Sequence, residues 1–216
     1  MKELLDLTHT IAEEYFLKVT YPWEILPKIK DIILRLIPTL DKDEYLCYGQ
    51  DIYVHKSAKV APTALLCSPC IIGPNTEVRH CAYIRGSVII GQDCVIGNSC
   101  EIKNSILFDY VEVPHFNYVG DSILGYHSHM GAGAIASNIK ADRSEVIVKD
   151  KEGDIHTNLI KFGTILGDYV EVGCNSVLNP GTIVGRNTTI YPLSNVRGVI
   201  DSNCIYKSKD HIVSKE

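Results

Sequence analysis

Nine aliphatic residues stand six apart without a gap: Val54, Val60, Leu66, Ile72, Val78, Ile84, Ile90, Ile96 and Ile102. The same period restarts with Ile160, Leu166, Val172, Leu178, Val184, Ile190 and Val196. Four residues after most of these comes a compact side chain, among them Ala58, Ala64, Cys70, Thr76, Ala82, Cys94, Cys100, Ser176, Thr182 and Ser194. A period of six fits neither a helix nor a lone strand; it marks stacked coils. A large inward residue, a small inward residue and a glycine often just after the aliphatic describe short parallel strands turning at three corners. With three hexads per turn, the pattern predicts a mainly β fold, a parallel β-helix of about seven coils.

The flanks lose this period. In residues 1–46, Leu4, Leu5, Leu7 and Ile11 predict one amphipathic helix. Ile29, Ile32, Ile33 and Leu36, between Pro27 and Pro38, predict a second, with Asp41-Lys42-Asp43-Glu44 as a linker. This helical segment is expected to cap the first coil, whose open edge would otherwise invite pairing. The prism is expected over 47–197, interrupted by an excursion at 137–159. There Val146 and Val148 alternate before the turn Asp150-Lys151-Glu152-Gly153-Asp154, which predicts a projecting hairpin. Residues 198–216 read as a polar tail. Twice the step shortens to five residues, between Ile102 and Leu107 and between Val119 and Leu124. Such irregularities, like the excursion, are where functional residues are expected.

The chain has 216 residues and a net charge of −5, enough for one main domain and a small appendage. It has no eighteen-residue apolar run and no basic leader, so neither a membrane span nor an export signal is expected, and the location is expected to be cytoplasmic. Cys70, Cys94 and Cys100 fall on the compact inward positions, as reduced packing residues do, and Cys67-x-x-Cys70 lacks a second pair for zinc. No metal is expected. The acidic balance argues against nucleic acid as a partner.

Three stretches carry chemistry: Val113-Pro114-His115-Phe116-Asn117-Tyr118-Val119-Gly120-Asp121, then His129-Met130-Gly131-Ala132-Gly133 followed by Asn138, then Lys161-Phe162-Gly163-Thr164-Ile165-Leu166-Gly167-Asp168. With the hexads, they resemble the hexapeptide-repeat acetyltransferase half of bifunctional N-acetylglucosamine-1-phosphate uridyltransferase/glucosamine-1-phosphate acetyltransferases. The likeness is greater still to the C-terminal domain of archaeal sugar-1-phosphate nucleotidylyltransferases, and it spans roughly residues 50–197. The resemblance implies a left-handed helix, a homotrimer with sites between neighbouring prisms, and acetyl-CoA as acyl donor.

It also implies roles for single residues. His115 matches the general base that takes a proton from the sugar amine, a task suited to imidazole. Glu101 matches the glutamate that orients it, Tyr118 a substrate-contacting tyrosine, and Ala132 the backbone N–H donor to the oxyanion. Arg85 and Lys103 match the phosphate contacts, and Asn138 an asparagine that holds the sugar. Lys140, or Arg143, matches a loop lysine. Gly133, Cys174 and Pro192 lie where the donor's pantetheine arm would run. Three positions depart from the family: His129 replaces an asparagine, Cys174 a serine and Pro192 an alanine, and proline brings no N–H.

The implied activity is acetyl-CoA-dependent N-acetylation of an amino-sugar phosphate resembling glucosamine-1-phosphate, or of a nucleotide amino sugar, in the chemistry of UDP-N-acetylglucosamine. Residues 1–46 contain no glycine, so the glycine-rich loop of a nucleotidyltransferase, and its activity, are not expected. Two other readings stay open. Cys174 and Pro192 permit a non-catalytic regulatory or assembly subunit. A γ-carbonic-anhydrase-like metalloenzyme would need histidines five residues apart, and no such pair exists.

Overall fold

The computed structural model describes residues 3–151 and 153–215; Met1, Lys2, Glu152 and Glu216 lie outside the described residues. The hexads form three sheets, the faces of a prism. Val54, Ile72, Ile90, Leu107, Leu124, Leu166 and Val184 pair in line along the first face, each one coil above the last. Val78, Ile96, Val113, Met130, Val172 and Ile190 belong to the second face. Ile84, Ile102, Val119, Ala136, Leu178 and Val196 belong to the third. These side chains are all buried, and the compact residues four positions on fill the space between them. The nine-stranded first and second faces each end in one antiparallel strand, and the third has seven strands. That leaves seven full coils and an eighth of two strands. The extra strands come from the expected polar tail, where Val199–Ile200 and Cys204–Ser208 continue the coil and His211–Ser214 folds back upon it.

The helices of the N-terminal segment do not cap the first coil. That edge is covered by Tyr45–Gly49, paired antiparallel to Ile52–His55. The segment runs along the outside of the first face instead, and the reason is a row of side chains. Ile71, Ile89, Ile106, Ile123, Ile165 and Ile183 each sit one residue before an inward aliphatic, so they point outward from the prism. All are buried. Each buried isoleucine contributes about 1.5–3 kcal/mol, so a bare row would be costly. Residues 3–40 cover most of it, with Leu4 and Leu5 against Gly167 and Gly125, Phe16 against Phe108, and Ile29–Leu36 against Val88–Ile90.

Only the second expected helix forms as read, at Ile29–Leu36, and it packs against the Val88–Ile90 strand. The first is replaced by a short 3-10 turn, Leu7–His9, and an α-helical turn, Glu13–Phe16. Here the chain follows the prism rather than its own helical bonds: Asp168 N–H donates to Leu4 O at 3.1 Å, and Asp109 N–H to His9 O at 3.0 Å. The buried carboxylate of Asp168 accepts from Asp6 N–H at 2.7 Å and from Tyr126 N–H at 2.9 Å, and pairs with Arg186 at 2.9 Å. His9 stacks on Tyr126 with ring centres 3.6 Å apart.

The excursion is a hairpin, Ile147–Asp150 against Gly153–His156, yet it does not project. Val146 and Val148 are buried, and Gly181 and Gly198 lie against Val146 and Lys149. It folds onto the corner between the third and first faces. Ile160 is exposed, so the coil resumes with Thr164–Leu166 rather than at Ile160. The two short steps lie at this same corner, where Asn104 and Asp121 take positive φ of 45° and 49°. Asn104 Nδ2 donates to Asp121 Oδ1 at 2.8 Å and to Leu26 O at 3.1 Å, tying the shortened coils to the N-terminal strap.

Phe16, fully buried, meets Phe108 edge-on at 5.5 Å. Phe16→Ala is expected to lower stability by about 3–5 kcal/mol in urea unfolding. A loss below about 1 kcal/mol would mean that the strap contributes little to the fold.

Candidate functional site

Four of the residues singled out in the sequence form one column at the corner between the second and third faces. Gly133 N–H donates to His115 O at 2.9 Å, Asn175 N–H to Ala132 O at 2.8 Å, and Leu193 N–H to Cys174 O at 2.9 Å. His115, Ala132, Cys174 and Pro192 thus hold the same corner position in four successive coils. The residue after each has positive φ: Phe116, Gly133, Asn175 and Leu193. Gly133 suits that conformation without strain; Phe116 and Leu193, large and exposed, adopt it only because the coil imposes it. Beside the column runs a shallow groove of about 430 Å³, lined by Glu112, His115, His129, Ala132 and Cys174, with Arg79 at its edge. No described residue accepts the Ala132 N–H.

Asn117 holds this corner from inside. It occupies a compact inward position and is 3% exposed. Its Nδ2 donates to Gly131 O at 2.8 Å and Ala134 O at 3.1 Å, while its Oδ1 accepts from His115 N–H at 3.0 Å. One amide thereby fixes both the His115 backbone and the Gly131–Ala134 turn. The sequence reading passed over it, although an amide in a row of Ala, Cys, Thr and Ser was a usable signal.

A second group spans the outer side of the third face, with Glu101 and Tyr118 at the edge nearer His115 and Lys103, Asp121 and Asn138 at the far one. Arg85 Nη1 donates to Glu101 Oε1 at 2.6 Å, and Lys103 Nζ lies 3.2 Å from Asp121 Oδ2. Asn138 Nδ2 also donates to Asp121, a buried carboxylate absent from the sequence-based set. Tyr118 stands over Gly120 beside Asn138. Burial first, then the charges of Asp121 and Glu101, raise its hydroxyl above the usual tyrosine range, so it remains a neutral donor.

Several expected partnerships do not form. Glu101 reaches Arg85, and among the described residues no carboxylate comes within ion-pair distance of His115. The reason is topological: Glu101 points outward from the third face, whereas His115 ends a strand of the second. Both phosphate candidates already hold a carboxylate. Lys140 donates to Ser144 and Glu145 within its own loop, beside Asn179 and Arg197, away from the His115 groove. His129, by contrast, lines that groove, its Nδ1 2.8 Å from Glu171 Oε2. Among the described residues no three His, Cys, Asp or Glu side chains gather as metal ligands, and no helix is long and apolar enough to cross a membrane.

With this geometry in hand, the relatives can be placed beside it. The family described as the GMPPB C-terminal domain matches residues 66–191. The chain belongs to that family. It is similar to the bifunctional protein GlmU of Methanococcus maripaludis strain C5, 29% identical over all of this chain and 54% of that protein. It is also similar to the bifunctional sugar-1-phosphate nucleotidylyltransferase/acetyltransferase of Sulfurisphaera tokodaii, at 28% identity over 83% of this chain and 46% of the relative. The chain spans about half the length of the curated relatives it matches. Among solved structures, the acetyltransferase domain of PglB from Neisseria gonorrhoeae FA1090 overlaps 93% of this chain and 76% of its own. Its identity is 16% and its TM-score 0.41, too loose an overlap to inform the chemistry. The chain is thus a hexapeptide-repeat β-helix of the kind seen in the C-terminal half of GlmU.

Asn117→Ala would strand His115 N–H and Ala134 O and leave Gly131 O only its bond from Ala134 N–H, and is expected to cost about 1–3 kcal/mol in urea unfolding. A cost under about 0.5 kcal/mol would show that the corner holds without it. Burial pushes the Cys70 and Cys94 thiols up to about 12, and the thiolate is the reactive form. Iodoacetamide at neutral pH is therefore expected to label the exposed Cys47, Cys81 and Cys174 in the folded protein and spare Cys70 and Cys94. Equal labelling of all five, read by mass spectrometry, would contradict this packing.

Proposed function

We propose that this chain transfers the acetyl group of acetyl-CoA to the amine of an amino-sugar phosphate, glucosamine-1-phosphate or a close analogue, or of a nucleotide amino sugar. His115 takes the amine proton as nitrogen attacks the thioester carbon. The Ala132 N–H receives the oxygen on which negative charge develops, and collapse of that adduct breaks the C–S bond and expels the CoA thiolate, which takes the proton from His115 to leave as free thiol. The pantetheine arm runs along the corner past Gly133, Cys174 and Pro192, and the sugar meets Tyr118, His129 and Asn138. The observation that carries this reading is the shared groove of His115, the free Ala132 N–H and Cys174. Membership of a family whose relatives include proteins named as acetyltransferases supports it.

Lys103, Asp121 and Asn138 lie across the third face from the His115 corner, and the open groove leaves room for a second chain to close the site. Threefold packing of prisms would set the His115 corner of one copy against the Arg85–Lys103 edge, or the loop and C-terminal coils, of the next. In such a site the phosphate would compete with Glu101 and Asp121 for Arg85 and Lys103.

One observation favours a different reading. With Glu101 held by Arg85, His115 has no carboxylate among the described residues to orient it, as suits a regulatory or assembly subunit that retains the fold without turnover.

The test is to incubate the protein with acetyl-CoA and glucosamine-1-phosphate or related amino sugars and follow free thiol, alongside sedimentation. The expected result is release by a trimer, lowered at least about a hundredfold by His115→Ala. Release unchanged in that variant removes His115 from the reaction. No release with any amino sugar favours the subunit reading.

A further inference from the structure

The outward row of the second face includes Glu77, Val95, Glu112, His129, Glu171 and Thr189 in successive coils. His129 therefore sits between two carboxylates. Only Glu171 bonds it, Oε2 to Nδ1 at 2.8 Å. Glu112, its ladder neighbour on the other side, has no ion pair among the described residues and lines the same groove. Arg79, which lines the groove, is bonded through Nε and Nη2 to Glu77, beyond which the row continues to Lys59.

A carboxylate only accepts hydrogen bonds, so Glu171 requires the His129 proton on Nδ1. In the neutral ring Nε2 is then a bare acceptor, because the hydrogen bond on one ring nitrogen sets the role of the other. Nε2 is left for whatever enters the groove. We propose that Glu171 is a positioning residue that fixes this tautomer, and that His129 Nε2 is a specificity contact accepting a hydrogen from a hydroxyl or amine of the acceptor molecule. With Glu112 beside it, this stretch of the wall offers acceptors, while the Arg79 N–H groups not held by Glu77 remain donors elsewhere in the groove. The stretch selects a ligand face rich in O–H or N–H groups and disfavours a phosphate or carbonyl there, because two acceptors facing each other leave both unsatisfied. This rests on the acyl-transfer reading for what the acceptor molecule is, but the tautomer and its polarity stand on the geometry alone.

The test uses the intact protein with ¹⁵N-labelled histidine at about pH 8, where imidazoles are largely neutral. The expected signature is a protonated Nδ1 and an unprotonated Nε2 on His129, with Nε2 shifting on titration with glucosamine-1-phosphate. Glu171→Gln, whose amide either donates or accepts, is expected to scramble the tautomer and raise the apparent Kd or KM about three- to tenfold, the factor of one neutral hydrogen bond, with kcat little changed. His129→Phe should show the same rise, and Glu171→Gln should add nothing on top of it. Both residues are partly exposed and no buried bond is lost, so the variants are expected to fold. A tautomer indifferent to Glu171→Gln, or two losses that simply add, would overturn the assignment. Ligand-induced shifts at Nε2 without thiol release would support it while removing the acyl-transfer reading. Release with no shift at His129 would do the reverse.

Discussion

Backbone hydrogen bonds between successive coils force each residue to lie beside its counterpart one turn away. Two consequences follow from that constraint. A side chain on one face repeats into a row along the prism, so a favourable choice is multiplied and so is an unfavourable one. The corner residues repeat too, and the groove exists because one such column carries His115, Ala132 and Cys174 in consecutive coils. Shifting the register by one residue would turn these side chains to another direction and dissolve the groove.

The same repetition makes the first face apolar on both sides. Its inner row fills the core, while its outer row of isoleucines needs a cover that the coils do not supply. The N-terminal strap provides most of it, and the hairpin after Ala136 closes the adjoining corner. Both elements look dispensable in a list of coils, yet both bury residues of the prism. The shortened coils at Asn104 and Asp121 belong to this arrangement as well. They bring side chains into reach of Leu26 and of the Lys103–Asn138 group, so the irregular coils serve attachment at least as much as chemistry.

Much of this was legible in the amino acids. The inward rows, the hairpin and the helix at Ile29–Leu36 follow from local patterning, and Gly131-Ala132-Gly133 points to a tight corner beside His115. The site was only partly legible. Glu101 precedes His115 by fourteen residues, but a coil of seventeen or eighteen puts residues so spaced on different faces, and Arg85, in the coil below, captures the carboxylate. The reverse holds for His129 and Glu171. They stand 42 residues apart, and only when the 24-residue surplus of the excursion is set aside do they become neighbours.

What the sequence determined by itself is the repeat: the coil, its three faces and the residues that point inward. Those depend on a period of six, and a period can be read along the chain wherever the hexads run. Tertiary structure alone decided where the strap lies and which carboxylate meets which base. An amphipathic segment carries no address for the surface it will cover, and a charged side chain has no preferred partner until the coils set one beside it.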